Sequence, residues 1–246
     1  LGTGAAGIVA QSASGGEDGN TDNLGWTTGA GTDNYALGAT GTGGLVQVSV
    51  NSSVVTEGEH SKAIIAQSVG LNGNGDISVT LGAGSLIIGG TDMDGFETGN
   101  DPYGVLLLDG KTNLIENSGL ITTREGFSGT AIYAKASQSN DGTIFNTVTN
   151  HGIVTGSVVL AEAGLTGKSM SSAFDNEITG LFNMGIKVDL GGSPNTLTNK
   201  GIVSPGGVNN ILTTELNGDY TQTGDGAYVV TVDYADNDPN PGNPNE

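Results

Sequence analysis

The chain has no cysteine among its 246 residues. That excludes a disulfide framework, a thiolate zinc site and a cysteine nucleophile. Basic residues are scarce: seven Lys and Arg stand against 26 Asp and Glu, for a formal net charge of -19. Phosphate neutralisation needs clustered cations, and none are clustered here, so nucleic acid is not an expected partner. Anionic membrane surfaces would repel the chain. Aromatics make up only 5%, which limits core packing by large rings. No apolar run approaches the ~20 residues of a membrane-spanning helix, so direct membrane insertion is not expected. Leu1-Gly2-Thr3-Gly4 carries neither the charged nor the apolar region of a secretory signal, and the chain reads as a section of something longer.

What is abundant is glycine, 44 residues, far above the ~7% of an average protein. It has no three-residue period, so collagen is excluded. Low charge and plentiful Val, Ile and Leu argue against wholesale disorder. A short unit recurs: Asn, any residue, a small residue, an aliphatic pair, then Thr or Ser. It appears as Asn51-Ser52-Ser53-Val54-Val55-Thr56, Asn117-Ser118-Gly119-Leu120-Ile121-Thr122 and Asn150-His151-Gly152-Ile153-Val154-Thr155. Weaker copies begin at Asn183 and Asn199, with a degenerate one at Gly82 to Ile88; the offsets between the Asn copies are 66, 33, 33 and 16. A second unit reads Gly7-Ile8-Val9-Ala10-Gln11-Ser12, Ala63-Ile64-Ile65-Ala66-Gln67-Ser68 and Ala131-Ile132-Tyr133-Ala134-Lys135-Ala136. Related runs lie at Val105-Leu106-Leu107-Leu108 and Val158-Val159-Leu160-Ala161.

Each unit is strand-like and bounded by turn formers. No segment shows a sustained helical period. The same turn residue recurring at the same phase points to a coiled solenoid, in which equivalent residues stack ~4.8 Å apart. The expected fold is an all-β, right-handed parallel β-helix over residues 1-216, its hand taken from the usual parallel crossover. Loop insertions are expected near 13-44, 69-76 and 89-103. Recurrent Asn51, Asn117, Asn150, Asn183 and Asn199 are expected to form amide ladders in the turns. Gln11 and Gln67 are expected at rung corners. Corner glycines are expected to supply left-handed backbone angles. Residues 217-234 read as two strands around Gly224-Asp225-Gly226, a hairpin-like cap with Tyr220, Gln222, Tyr228 and Tyr234. The Asp/Asn/Pro-rich stretch 235-246 reads as a disordered tail or linker.

Leu45-Val46-Gln47-Val48, Val54-Val55-Thr56-Glu57-Gly58 and Ala63 to Ser68 resemble the passenger repeats of bacterial autotransporters (type V secretion). Asn199-x-Gly201-x-Val203-x-Pro205-Gly206-Gly207, followed by Gly218-Asp219-Tyr220-x-Gln222, resembles the end of such passengers. The resemblance covers about half the chain. It implies export through the periplasm and display on the outer membrane or release outside the cell. It also implies a signal peptide before Leu1 and a C-terminal membrane barrel beyond Glu246. The lack of cysteine fits passage through a narrow barrel. The segment Tyr220 to Tyr234 resembles the start of the region that assists passenger folding outside the cell.

Candidate sites are sparse. Asp92, Asp94, Glu97 and Asp101, or Glu17, Asp18 and Asp22, have carboxylates for calcium, but Gly95 falls out of place for a helix-loop-helix calcium loop; a solvated acidic loop is the simpler reading, and no metal or other cofactor is expected. His60 and His151 are the available neutral-pH bases and fall in different rungs. No Gly-x-Ser-x-Gly elbow occurs. Asp92 with Asp94, and Asp236 with Asp238, have the i, i+2 spacing of paired carboxylates, though in loop and tail contexts. Trp26, with Tyr35 nearby, stands in a Gly-rich loop as a contact anchor or as packing for that loop. Three functions follow. The first is an adhesin whose Asn, Thr and Ser ladders, presented on its faces, bind a host-surface or matrix ligand or copies of itself on neighbouring cells. The second is a membrane-proximal stalk without binding activity. The third is a polysaccharide-active enzyme with an aromatic- or acid-lined groove, which a single arginine and few aromatics disfavour.

Overall fold

The structure is a computed structural model and describes residues 3–13, 41–92, 101–136, 142–163 and 169–232. The chain enters on β1 (Ala6–Ala13). It then winds through β2 (Val46–Val50), β3 (Val54–Val55) and β4 (Lys62–Val69), and again through β5 (Ile77–Leu81), β6 (Leu86–Gly89) and β7 (Tyr103–Asp109). The third coil is β8 (Thr112–Asn117), β9 (Leu120–Thr123) and β10 (Thr130–Ala136). In the next two coils one long strand serves two sides: β11 (Thr143–Asn150) leads to β12 (Ile153–Ala163), and β13 (Ser169–Asn176) to β14 (Leu181–Asp189). Then come β15 (Thr196–Asn199), β16 (Ile202–Pro205), β17 (Glu215–Asn217), β18 (Asp219–Gln222) and β19 (Ala227–Tyr228).

Every pairing between these strands is parallel, and each joins a strand to its equivalent in the adjacent coil. This is a parallel β-helix with three sides. Side one is the seven-stranded sheet β2-β5-β8-β11-β13-β15-β18. The other sheet folds into side two (β3, β6, β9, the starts of β12 and β14, β16, β19) and side three (β1, β4, β7, β10, the ends of β12 and β14, β17). Register shifts at Gly156/Val158 mark the bend within β12.

The alternation in Val46-Gln47-Val48-Ser49-Val50 is inside–outside alternation, since every second residue is buried. One inward column runs Val48, Val79, Ile115, Val148, Phe174, Leu197. A facing column on side two runs Ile87, Ile121, Val154, Phe182, Val203. Phe174 and Phe182 stack across the interior at 4.4 Å. The second repeat unit behaves differently. β4 and β7 are buried at every position. Their outward residues Ile65, Leu106 and Leu108 join Tyr103 in a second apolar cluster, with Val9 and Tyr133 packed against it. An uninterrupted Ala-Ile-Ile-Ala run is the sequence form of a parallel strand buried on both faces.

One expectation needs correction, and a second holds in part. The segment after residue 216 does form two strands around Gly224-Asp225-Gly226, but they are not a hairpin. β18 pairs with β15 and β19 with β16, both parallel, so the solenoid continues through this segment as one more coil. Its inward Tyr220 and Tyr228 meet edge to face at 5.8 Å. The corner glycines divide: Gly84, Gly110 and Gly156 take positive φ as expected, while others have another role. Gly119, Gly152 and Gly201 lack positive φ. A Cβ at Gly152 would lie closer than 3.0 Å to the Gly119 carbonyl oxygen, and one at Gly201 as close to those of Glu177 and Gly180. These glycines let one coil lie on the next; the conformational freedom of glycine is not what selects them.

Candidate functional site

The asparagines of the repeat lie inside the solenoid. Side one ends in a column of Val50, Leu81, Asn117, Asn150, Asn176, Asn199 and Gln222. The four asparagines of this column are fully buried. Asn117 Nδ2 donates to Asn150 Oδ1, Asn150 Nδ2 to Asn176 Oδ1, and Asn176 Nδ2 to Asn199 Oδ1, each at 2.8 Å. Asn199 Nδ2 passes the chain to Gln222 Oε1 at 3.1 Å. The amides also donate to corner carbonyls: Asn117 to Ile153 at 3.1 Å, Asn176 to Ile202 at 3.0 Å and Asn199 to Ala227 at 3.0 Å. Asn117 Oδ1 in turn accepts the Gly119 amide at 3.0 Å. The ladder thereby satisfies backbone groups that the sharp corner removes from the sheets. Tyr220 Oη donates to Gln222 Oε1 at its exposed end.

Three of the five expected ladder residues occupy this column: Asn117, Asn150 and Asn199. Asn51 does not. Val50 holds its phase, because Val54 pairs with Ile87 and the first copy is displaced by one residue; Asn51 is exposed. Asn183 does not either. It lies within β14, where Nδ2 donates to Thr155 Oγ1 at 3.1 Å. The residue missed is Asn176, whose corner is two residues longer, with Gly180 in the glycine position. From Asn117 onward the step along the column is 33 residues, then 26, 23 and 23. Gln11 and Gln67 do pair, but within β1 and β4 and not at a corner: Gln11 Nε2 donates to Gln67 Oε1 at 2.6 Å, and Gln67 Nε2 to Asp109 Oδ2 at 3.2 Å. A further buried pair, Asn113 to Asn146 at 2.8 Å, closes the opposite end of side one.

With its asparagines inside, the solenoid presents other chemistry outside. The outward columns of side one are Gln47, Ser78, Leu114, Thr147, Ala173, Thr196, Asp219 and Ser49, Thr80, Glu116, Thr149, Asp175, Thr198, Thr221. The second column is hydroxyls with carboxylates at Glu116 and Asp175, and the first mixes polar residues with Leu114 and Ala173. Thr and Ser therefore stand on a face as expected, and the asparagine ladder does not.

On side three an open groove of about 680 Å³ is lined by Tyr133, Val159, Ala161, Glu162, Lys187 and Asp189 among others. Tyr133 stacks on Tyr103 at 4.6 Å. Lys187 Nζ bridges Asp189 Oδ2 at 2.9 Å. Burial pushes the Asp189 carboxyl up, but hydrogen bonds from Lys187, Asn217 and the Gly191 amide outweigh that and hold it below its ordinary value. The hydrogen bond to Asp189 raises Lys187, against a smaller opposing effect of burial. A general acid for glycoside cleavage needs a raised carboxyl; Asp189 is shifted the other way.

His60 lies in the connection from β3 to β4 at φ 55°, and His151 in the exposed Asn150 corner. The structure does not bring them together in one coil. Of the calcium candidates, Asp92 and Asp101 flank the gap between β6 and β7, while Asp94 and Glu97 lie outside the described residues. Among the described residues no three His, Asp or Glu side chains are grouped to hold a metal. Trp26, Tyr35, Tyr234, Glu17, Asp18, Asp22 and the 235-246 stretch also lie outside them. No family model, no curated protein and no solved structure matches the chain.

Proposed function

We propose that the chain is an adhesive display module, the passenger of an autotransporter-like protein exposed at a bacterial surface or released from it. The observation that carries this reading is the division of labour in the solenoid. Its recurrent amides are consumed internally, and its sides are long, regular and chemically distinct from one another. Such a rod is stiff along its axis, and repeated outward columns give weak contacts that sum by multivalency. The partner is a host-surface or matrix ligand, or a second copy on a neighbouring cell. The groove on side three is the feature an enzyme would use; Asp189 there is tied to Lys187 and is not placed to serve as its acid.

The test is bead display. Beads coated with the chain are counted for bead-bead and bead-to-host-cell contacts, at low and at physiological salt. The adhesive reading expects contacts of at least one kind. Beads inert in both tests would overturn it and leave a stalk.

A further inference from the structure

Two tyrosines form one wall of the groove on side three. Lys62 Nζ lies over the Tyr103 ring, 5.7 Å from its centroid, and Tyr103 stacks on Tyr133 at 4.6 Å with the ring planes 11° apart. The series follows the coils β4, β7 and β10, so it ends at Tyr133, whose other face borders the groove toward β12. Tyr103 is buried and Tyr133 half-buried, so the terminal ring is held in place before any ligand arrives. On β12 the outward residues are short: Val159, which pairs with Tyr133, and Ala161. On β14, Asp189 pairs with Val159. Ring and carboxylate therefore face each other across two strand spacings, about 10 Å, over a low aliphatic floor. The groove's volume of about 680 Å³ lies within the ~300–1,000 Å³ of ligand pockets.

The polar side chains select the ligand. Lys187 Nζ, Asn217 Nδ2 and the Gly191 amide reach Asp189 at 2.9, 2.8 and 3.0 Å. They fill three of the about four acceptor positions of a carboxylate and leave one on Oδ2. An ammonium has further donors beyond the one Lys187 gives to Asp189. The groove thus offers a fixed acceptor beside a donor, opposite an aromatic face. Among its described residues Asp101, Glu162 and Asp189 stand against Lys187, in a chain of net charge -19, so a sulfated, phosphorylated or sialylated ligand is repelled. A cation would have to compete with Lys187 for Asp189. A wholly apolar guest would strip water from that ion pair without replacing it. A neutral sugar satisfies every group: one hydroxyl accepts from Lys187 and donates to Asp189 Oδ2, while the C–H face of the ring lies on the electron-rich face of Tyr133. We infer that the groove between Tyr133 and Asp189 is a binding site for a neutral glycan. This rests on the adhesive reading above and names the chemical class of its host-surface or matrix ligand. One open groove holds a sugar weakly, and many rods in parallel supply the strength.

An oligosaccharide array read with the fluorescently labelled chain tests the site. The probes are unsubstituted hexose and N-acetylhexosamine oligosaccharides, with sulfated and sialylated forms of the same cores. At least one neutral probe is expected to bind, and its charged forms about tenfold less. Tyr133→Leu removes the ring, keeps an apolar residue, and is expected to weaken the neutral probe about tenfold. Lys187→Met removes the donor at an exposed position and is expected to weaken it several-fold. It keeps the test open if Tyr133→Leu fails to fold; both are checked against the native thermal melt. Thr149→Ala, on the outward face of side one, is expected to leave binding unchanged. Charged probes held as well as neutral ones, or neutral binding that both groove variants retain, would overturn the inference. An array on which no probe binds overturns it too. The coated beads separate that failure from failure of the adhesive reading. Beads that attach to cells or to one another leave that reading standing, and inert beads overturn both.

Discussion

Replacing Asn150 with leucine tests the amide ladder at an internal rung. Asn150 accepts from Asn117 and donates to Asn176, both at 2.8 Å, and it is fully buried. Leucine fills similar volume but answers neither neighbour. The variant leaves one Asn117 N–H and one lone pair of Asn176 Oδ1 without a partner inside the solenoid. Each buried orphan costs about 1–3 kcal/mol, so the expected loss is about 4 kcal/mol. Asn117→Leu sits at the bottom of the ladder, where Leu81 already occupies the column below. It takes away the partner of Asn150 Oδ1, of the Ile153 carbonyl and of the Gly119 N–H, so a loss as large, about 4 kcal/mol, is expected. Gln222→Ala, at the exposed end, is expected to cost under about 1 kcal/mol. Urea unfolding followed by far-ultraviolet circular dichroism reads the series. With a slope of ~2 kcal/mol/M, Asn150→Leu shifts the midpoint down by about 2 M and Gln222→Ala by less than about 0.5 M. Equal shifts for the three, or a shift below about 0.5 M for Asn150→Leu, would refute the reasoning.

Other expectations follow from packing and charge. Gly152→Ala sets a Cβ closer than 3.0 Å to the Gly119 carbonyl oxygen and should cost about 1–3 kcal/mol by overpacking, read as a lowered melting temperature. Gly84→Ala meets nothing within 4 Å but sits at φ +82°, so its cost of about 1–2 kcal/mol comes from backbone strain alone. Phe174→Ala removes a ring stacked on Phe182 at 4.4 Å and should cost about 3–5 kcal/mol in urea unfolding. The Lys187–Asp189 bridge gives a signed pH dependence. Asp189 titrates below its ordinary value in the fold, so its contribution is present above the unfolded value of ~3.9 and disappears as pH falls through the lower folded value. Lys187 titrates above its ordinary value, so its share is present below ~10.4 and disappears as pH rises through the higher folded value. Lys187→Met is therefore expected to cost at most ~1 kcal/mol at neutral pH, with the gap to the native chain closing in strong acid; a gap that widened in acid would contradict the assignment.

How far the fold was legible depends on which repeat is read. The Ala-Ile-Ile-Ala-Gln-Ser unit aligned correctly because strand register preserves its phase: Ile8 meets Ile64, and Gln11 meets Gln67. The Asn-x-Gly unit was harder. It is a corner signal, and corners tolerate insertions that strands do not. Asn176 was hidden by a corner two residues longer than its neighbours. Asn183-Met184-Gly185-Ile186 imitates the pattern in the middle of β14. Asn51 lies one residue from the column, where the early coils use Val50 and Leu81 instead. Counting inward–outward alternation forward from Val148 and Phe174, rather than matching the motif, would have placed Asn150 and Asn176 together. The parallel end coil was not legible either, because two strands around a Gly-Asp-Gly turn look alike whether they pair with each other or with the coil before. The orientation of each aliphatic pair in the motif was not legible either. Only the register shows that Leu120, Ile153 and Ile202 face outward while Ile121, Val154 and Val203 face in.

The central claim is that the recurrent amides are locked inside the rod and the outer faces are left for contact. Side-chain amide hydrogen exchange, followed by nuclear magnetic resonance on the assigned asparagines, tests it most directly. Protons on Nδ2 of Asn117, Asn150 and Asn176 are predicted to exchange as slowly as the backbone amides of the β11 and β13 strands, while those of exposed Asn51 exchange at the rate of free amide. Rapid exchange at all four would contradict the buried ladder and, with it, the stacked-coil account.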